Sequence, residues 1–377
     1  MRVYFDNAST TPLLPEVKEA MHDVVDNIYG NPSSIHELGR RSRILIEDAR
    51  TLIATGLKAS TGEIFFTSGA TESNNMALRG AVRDLGVKRI ISSPTEHHCI
   101  LHCLEYIEKM GLAEIQYLDV DNKGHIDYDQ LEGLLDQSDT KTLVSLMHAN
   151  NEIGTIHDIE RISHICLKRS ALFHCDTAQT VGKLALDLNA NRLSFMSGSA
   201  HKFFGPKGAG FIYVNSDNII KALIHGGDQE RGMRSGTENI YGIAGMAKAF
   251  ELSQSELKHR HEYTKGIRDY LMQRLEESFQ DIQFNGDPEN GLYNILSVSF
   301  PASDKAEMLM MNLDIAGVCA SSGSACSSGV ENDSHVLQHI GHKPGRKTVR
   351  FSFSHLNSKE EIDFLINYLG KLSPLSS

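Results

Sequence analysis

Short apolar segments alternate with amphipathic helical patterns between residues 15 and 250, and this alternation strongly constrains the fold. Seven segments have the length, apolar character and β-branched or aromatic content of strands: 63–67, 89–92, 114–118, 143–147, 171–175, 193–197 and 211–214. Apolar residues at three- and four-residue steps predict helices at 35–55, 74–85, 100–110 and 157–170. Such alternation requires crossover connections, so we predict an α/β fold with a mostly parallel seven-stranded sheet covered on both faces.

The pattern changes after residue 250. A charged helical stretch at 251–278 is followed by strand-like segments at 294–300 and 348–354 and a last helix at 359–372. We therefore predict a large domain at 15–257 and a smaller α+β domain formed by 1–14 and 258–377. The smaller domain contains a Gly/Ser-rich loop at about 321–332.

Composition excludes several classes of protein. The 377 residues have a formal net charge of -11, which disfavours direct nucleic-acid binding. No apolar run is long enough to cross a membrane, and the N-terminal residues do not resemble a signal peptide. Six cysteines in such a chain indicate reduced thiols, so we expect a cytoplasmic protein.

Polar residues follow five of the predicted strands, where ligands of open parallel sheets bind. Because the carboxyl ends of parallel strands meet at one edge, we expect these residues to converge. In chain order they are Ser68 to Thr71, Thr95 to His97, Asn150 and Asn151, Asp176 with Gln179, and Ser199 to Lys202.

This set suits pyridoxal 5'-phosphate. The cofactor needs a lysine for its aldehyde, a carboxylate for its ring nitrogen, a flat group on its ring face and a helix N-terminus for its phosphate. Lys202, Asp176 and His97 can fill the first three roles, and the turn at 69–71, with Ala70 and Thr71, can fill the fourth. Further polar groups can contact the ring 3-oxygen (Asn151, Gln179) or the phosphate (Ser199, His201).

Each of these residues, taken alone, has a simpler interpretation. A single lysine is usually solvated, and Thr71 or Asp176 can cap a helix. His97 can be an ordinary hydrogen-bonded histidine. The joint placement at one sheet edge favours the cofactor site.

Two pairs on a predicted helix offer a metal-binding alternative. His98 with His102 and Cys99 with Cys103 are each four residues apart, as zinc ligands on a helix can be. They occupy neighbouring stripes, which converge poorly without a second element. We therefore expect buried cysteines, and no metal.

Cys326 lies in the Gly/Ser-rich loop, where no neighbour can form a core. Such a loop suits a thiol that enters a pocket and carries an atom away, although an incidental surface cysteine is the alternative.

Arg350, on a predicted strand, can clamp a carboxylate or face solvent. Thr237, before an amphipathic helix, can be an N-cap or part of a phosphate site.

The chain resembles cysteine desulfurases of fold-type I, in the class-V aminotransferase group. Matching stretches run in order from residue 4 to about 372: 4–12, 30–34, 67–73, 95–97, 150–154, 176–179, 199–202, 234–239, 321–326 and 349–352. The loop of Cys326 is similar to that of the branch that includes nitrogenase-type and housekeeping iron–sulfur-cluster desulfurases. The resemblance implies release of alanine from L-cysteine.

The resemblance implies a role for each matching residue. Lys202 binds the cofactor aldehyde, Asp176 the ring nitrogen and Gln179 the ring hydroxyl, while His97 stacks on the ring. Thr71, Ser199 and His201 hold the phosphate, and Thr237 reaches the phosphate of a neighbouring subunit in a homodimer. Cys326 carries the persulfide. Asn151 and Arg350 bind the substrate carboxylate, with Asn31 on a loop nearby.

Other functions stay open at this point. The same frame supports selenocysteine cleavage or transamination, and a non-catalytic assembly partner could keep the fold. The chain ends at Ser377, soon after its last predicted helix, which leaves the sulfur-acceptor protein open. Iron–sulfur clusters, thiolated tRNA and other thio-cofactors are all destinations for the sulfur.

Overall fold

The structure is a computed structural model that describes residues 2–302, 307–322, 334–343 and 345–371. Its strands are β1 Val3–Tyr4, β2 Ile64–Thr67, β3 Arg89–Ser92, β4 Glu114–Tyr117, β5 Thr142–Met147, β6 Leu172–Asp176, β7 Phe195–Ser199, β8 Gly210–Val214, β9 Gln283–Asn285, β10 Ile295–Phe300, β11 Val318–Cys319 and β12 Lys347–Ser352. Its α-helices are α1 Pro15–Asn27, α2 Glu37–Leu57, α3 Ala70–Asp84, α4 His98–Lys109, α5 Tyr128–Asp136, α6 Ile159–Lys168, α7 Leu188–Asn191, α8 Ile240–Ser255, α9 Leu257–Ser278, α10 Leu309–Ile315, α11 His335–His339 and α12 Lys359–Lys371.

The main sheet has seven strands in the order β2-β8-β7-β6-β5-β3-β4. Only β8 runs antiparallel to its neighbours, β2 and β7, and the other pairings are parallel. Most of its strands are buried throughout, because helices and their apolar side chains cover both faces. The predicted α/β class and the mostly parallel seven-stranded sheet are confirmed.

Two strands extend further than their apolar pattern predicts. Asp176 and Ser199 were expected just beyond their strands, but each is the last residue of one. Their main chains still have partners, because Asp176 pairs with Met147 and Ser199 with Gly210. The sheet ladder therefore fixes the backbone of both residues at its edge.

A second core lies outside the main sheet. The three-stranded antiparallel sheet β12-β10-β9 and the parallel pair β1-β11 pack with α9, α10 and α12. Val3 and Phe5 from the N-terminal segment are completely buried in this core. This separate core supports the proposed division into a domain at 15–257 and one formed by 1–14 and 258–377.

The charged helical stretch predicted at 251–278 is interrupted at Glu256, where the backbone leaves the helical region. Residues before this break belong to α8, whose Phe250 packs in the main core. Residues after it belong to α9, whose Leu271 packs in the second core. The interruption thus falls where the chain passes from one core to the other.

Within the described part of the chain, every helix is too short or too polar to span a bilayer.

Candidate active site

A cavity of about 550 Å³ opens at the carboxyl ends of the main-sheet strands. Its volume is in the range of small-molecule and cofactor sites. It brings together residues from both cores and from the N-terminal segment. Its predicted members are Ala70, Thr71, His97, Asn151, Asp176, Gln179, Ser199, His201, Lys202 and Arg350.

Lys202 lies in a short 3-10 turn that follows β7 directly. Its amine donates hydrogen bonds to the main-chain oxygens of Ala8, at 2.7 Å, and Ser9, at 2.8 Å. Thr11 holds the same turn from the other side, because its main-chain N–H and its hydroxyl both bind the oxygen of His201. The N-terminal segment thus positions the lysine, a role that the strand pattern did not reveal.

Asp176 is held by a row of buried side chains. Its Oδ2 accepts a hydrogen bond of 2.7 Å from Asn74, on α3. Asn74 Oδ1 lies 3.1 Å from Nε2 of His174, and His174 Nδ1 lies 2.9 Å from the hydroxyl of Ser145. Burial lowers the pKa of His174 to about 4, so its neutral ring donates to Asn74 and accepts from Ser145. Sequence reasoning missed both Asn74 and His174, because neither lies at a strand end.

His97 caps the N-terminus of α4. Its Nδ1 accepts a hydrogen bond of 3.2 Å from the main-chain N–H of Cys99, and the Cys99 sulfur is 3.0 Å away. An Nδ1 that accepts is unprotonated, so the neutral ring has its hydrogen on Nε2. Burial also lowers the pKa of His97, which favours the neutral ring. A flat, neutral imidazole on the cavity wall suits stacking on an aromatic ligand.

The other end of the cavity suits an anion. Helix α3 begins at Gly69 without a side-chain cap, so its first N–H groups remain available to a ligand. Gly69 has a φ of 151°, and a Cβ there would lie 3.4 Å from Oγ of Ser199. Ser199 and Thr71 add hydroxyls. Burial, followed by nearby lysines, lowers the pKa of His201 to about 4. This donor set fits a phosphate group.

Arg350 on β12 reaches the cavity from the second core. Its guanidinium donates to the main-chain oxygen of Asn151 at 2.8 Å, to Asp6 at 2.9 Å and to the Ser9 hydroxyl at 2.6 Å. The side chain is almost wholly buried, and its Nε has no hydrogen-bond partner. Asp6, which the sequence analysis gave no role, therefore holds this arginine.

Gln179 also points towards this end of the cavity. Its amide nitrogen donates to the oxygen of Ala8 at 2.9 Å, the same oxygen that binds Lys202. Asn151 also lines the cavity. The predicted ring and carboxylate contacts thus share one wall with Lys202.

Two predicted site residues lie elsewhere, and a third is outside the described residues. Asn31 and Thr237 are on exposed loops and do not line the cavity of their own chain. The Asn31 side chain instead accepts a hydrogen bond of 2.9 Å from the main-chain N–H of Ser33. Cys326, with most of its loop, is outside the described residues.

The residues of the metal-binding alternative are dispersed. Cys103 packs in the core beside the main sheet, whereas Cys99 faces the cavity. Burial raises the pKa of Cys103 to about 11 and that of Cys99 to about 12, so both keep their protons at neutral pH. The rings of His98 and His102 stack at 5.3 Å. The described ranges contain no cluster of three or more side chains arranged as metal ligands.

Comparison with known proteins places the chain in a family. The sequence profile described as Aminotransferase class-V matches residues 3–365. The chain belongs to the class-V aminotransferase family. Members of this family are enzymes that depend on pyridoxal phosphate, so the predicted family and cofactor are confirmed.

Individual class-V relatives match along almost their whole length. The chain is 43% identical over 374 residues to "Cysteine desulfurase IscS" of Dictyoglomus turgidum, covering 98% of this chain and 94% of the relative. It is 39% identical over 387 residues to "Cysteine desulfurase IscS" of Klebsiella pneumoniae, covering 99% and 94%.

Solved structures that are similar to this chain agree with it in fold. A "NIFS-LIKE PROTEIN" superposes with a TM-score of 0.91 at 36% identity, covering 99% of each chain. "SspA in complex with cysteine" superposes with a TM-score of 0.82 at 31% identity, covering 94% of this chain and 100% of that chain. The fold-type I architecture is therefore confirmed.

Proposed function

We propose that this protein is a cysteine desulfurase, which removes sulfur from L-cysteine and releases L-alanine. The observation that carries the proposal is the convergence of Lys202, Asp176, His97 and Arg350 on one cavity. Relatives named cysteine desulfurase match this chain over nearly its whole length, which supports the same reaction. The buried arginine adds a carboxylate clamp, which an amino-acid substrate needs.

We propose that the cavity residues divide between the cofactor and the substrate. Lys202 binds the aldehyde, Asp176 the ring nitrogen, and His97 the ring face. Ala70, Thr71, Ser199 and His201 hold the phosphate, and Gln179 and Asn151 contact the ring oxygen. Arg350 and Asn151 bind the substrate carboxylate, with Asn31 on the loop nearby.

Bound pyridoxal phosphate supplies an electrophilic carbon and an electron-withdrawing ring. The chain's own groups then orient and move protons. Asp176 keeps a proton on the ring nitrogen, and the Lys202 amine takes the proton from the substrate Cα. Arg350 fixes the substrate carboxylate.

We propose that Cys326 accepts the sulfur as a persulfide. Ser321, five residues earlier, accepts a main-chain hydrogen bond of 2.7 Å from Arg350 and donates its hydroxyl to Asp6 at 2.7 Å. At the other end of the segment, Ser334 bonds to Glu152. Five residues span at most about 18 Å, so a thiol tethered at Ser321 is within reach of the cavity.

In the transfer step, the thiolate of Cys326 attacks the substrate sulfur and forms an S–S bond. The Cβ–S bond breaks, and Cβ keeps its electron pair and gains a proton. Alanine and a Cys326 persulfide result.

We expect Cys326→Ser to reduce alanine formation at least about tenfold, because the hydroxyl is a far weaker nucleophile towards sulfur. The cofactor should stay bound with an unchanged spectrum, since the proposed cofactor contacts come from cavity residues such as Lys202, Asp176 and His97. Alanine release and the visible spectrum are to be measured with the same preparation. Cys166→Ser, which alters a thiol buried beside the main sheet, is the control. Full turnover by Cys326→Ser would exclude the persulfide step.

The proposed reaction is tested by incubating the loaded protein with L-cysteine and a reducing agent. Alanine and sulfide should appear in equal amounts. Selenocysteine cleavage is the second candidate, so the same assay with selenocysteine compares kcat/KM for the two substrates. Formation of pyruvate or of a new amino acid in place of alanine would contradict desulfuration.

We propose that the protein is a homodimer in which Thr237 reaches the partner's cavity. Ion pairs anchor the loop that contains Thr237, joining Arg50 to Glu230 at 2.8 Å and Arg234 to Glu72 at 2.9 Å. Helix α8 follows this loop, and an open groove between α2 and α8 is lined mainly by apolar side chains, including Ile28, Ile44, Leu45, Leu52 and Ala244. An exposed apolar groove along the helix that follows an exposed loop suits a second copy of the chain.

Ile44→Asp should convert the dimer to a monomer and lower activity, because it places a charge in the apolar groove. Ile44 is 60% exposed, so the substitution should leave the fold of the subunit intact. Ile315→Asp is the matched control, since Ile315 is 73% exposed on α10, away from the groove. Sedimentation velocity measures the assembly. A wild-type monomer, or a dimeric Ile44→Asp variant, would contradict this interface.

We further propose that a sulfur-acceptor protein, such as an iron–sulfur scaffold or a thiolation enzyme, takes the persulfide sulfur. The five described cysteines are all free, which supports a reducing compartment and thus the cytoplasm. Pull-down with the persulfide-loaded protein tests for an acceptor.

A further inference from the structure

A buried lysine, Lys183, lies behind the cavity wall and has no role in the proposed chemistry. Only 6% of its surface is exposed. It is in the turn after β6, and this turn packs tightly against the segment of Lys202: a Cβ added at Gly182 would lie 2.8 Å from Cβ of Phe203. Among the described residues, no carboxylate forms an ion pair with it. Its amine instead donates to Oε1 of Gln179 at 3.1 Å.

This contact orients the Gln179 amide. In its protonated form Lys183 only donates, so Oε1 of Gln179 faces it and Nε2 faces the other way. One Nε2 hydrogen binds the oxygen of Ala8 at 2.9 Å, and Lys202 binds that oxygen at 2.7 Å. The other Nε2 hydrogen is available to an acceptor in the cavity, whose wall includes Gln179.

We propose that Lys183 is a positioning residue, which holds Gln179 as a hydrogen-bond donor towards the cofactor's ring oxygen and adds a positive charge behind it. The inference rests on the proposed function, because it requires the cofactor in this cavity. A buried cation behind a donor strengthens that donor and favours a deprotonated oxygen in front of it.

The surroundings of Lys183 bring its titration into the physiological pH range. Burial, and then the charges of Lys202 and Arg350, lower the pKa of Lys183 to about 7. His201 is the other nearby titrating group, since Lys183 contributes to lowering its pKa. The charge of Lys183 therefore changes within the physiological range.

Three variants of Lys183 separate its effect on the orientation of the Gln179 amide from the effect of its charge. Lys183→Arg keeps a charge and a donor, Lys183→Gln keeps a donor only, and Lys183→Met keeps neither. The visible absorbance of the loaded protein is titrated against pH. Loss of a nearby cation favours protonated forms, so the midpoint should rise by about half a unit or more in Lys183→Met. Lys183→Gln should shift less, and Lys183→Arg should match the wild type.

The titration needs no turnover, so its failure is distinct from failure of the desulfurase proposal. If the wild-type protein does not bind the cofactor at Lys202, the proposed function fails. If it does, and both Lys183→Gln and Lys183→Met titrate with the wild-type midpoint, the inference alone is overturned. Lys168→Met, an exposed lysine on α6, controls for general loss of positive charge. If Lys183→Met does not fold, the difference in titration midpoint between Lys183→Gln and Lys183→Arg tests the inference.

The thermal stability of the cofactor-free protein, measured at two pH values, is an independent test of whether the charge of Lys183 is buried. The pKa of Lys183 is lower in the folded chain than its ordinary value of 10.5. Between pH 7 and 10.5 the unfolded chain binds more protons than the folded chain, so the free energy of unfolding rises with pH over this range. The destabilisation caused by the buried charge is therefore full below pH 7 and disappears as the pH rises to 10.5. Lys183→Met should therefore raise Tm by several degrees at pH 6.5 and by less at pH 9. An equal effect at both pH values would contradict a buried charge.

Discussion

Lys202→Ala should lower alanine formation at least about 10⁴-fold, the largest effect that we expect from a single substitution. The amine has two roles in the proposed reaction, as the covalent anchor of the cofactor and as the base at the substrate Cα. The structure holds it between the main-chain oxygens of Ala8 and Ser9, at 2.7 and 2.8 Å.

Borohydride reduction followed by peptide mapping is an independent test of which lysine binds the cofactor aldehyde. The wild-type protein should be labelled on the peptide that contains Lys202, and the Lys202→Ala variant should be unlabelled. Lys168→Ala, which removes an exposed lysine on α6, should keep both label and activity. A label on another lysine, or turnover within tenfold of wild type in Lys202→Ala, would overturn the assignment of the site.

The sheet was predictable because most of its strands are buried on both faces. All seven predicted strands lie within two residues of the observed ones at both ends. Apolar run length and strand–helix alternation are local signals, so they survive in the sequence. The strands end later than predicted at Asp176 and Ser199, because ladder partners, which a single sequence does not show, continue the pairing.

The parts of the site that sequence reasoning missed act across long stretches of chain. Asn74 and Asp176 are joined at 2.7 Å across 102 positions, and Arg350 and Asp6 at 2.9 Å across 344. No periodicity or strand-end rule predicts such a pair. Lys183 was missed for a different reason, because a lysine in a turn is expected to be exposed to solvent. Only the packing of that turn in the structure shows that Lys183 is buried.

The assignment of Thr237 also needed more than one chain. Thr237 is exposed in this subunit, and its predicted phosphate contact requires a partner. Sequence resemblance implied that contact, whereas the apolar groove beside α8 is what supports a second subunit there.

Asp176→Asn should lower turnover about 10³-fold, the second largest effect expected. The substitution keeps the shape of the side chain and removes the charge that holds a proton on the ring nitrogen. The asparagine can still contact Asn74, so the row that leads to His174 should persist and the protein should fold. The cofactor should remain attached to Lys202, with an altered visible spectrum.

A matched variant separates the charge of Asp176 from its orientation. Asn74→Leu leaves the carboxylate in place but removes its 2.7 Å hydrogen bond and the link to His174. We expect a smaller loss, of about ten- to a hundredfold, because a misoriented carboxylate still carries its charge. If Asp176→Asn kept turnover within tenfold of wild type, or if Asn74→Leu were the more damaging change, the carboxylate would not be the group that keeps the ring nitrogen protonated.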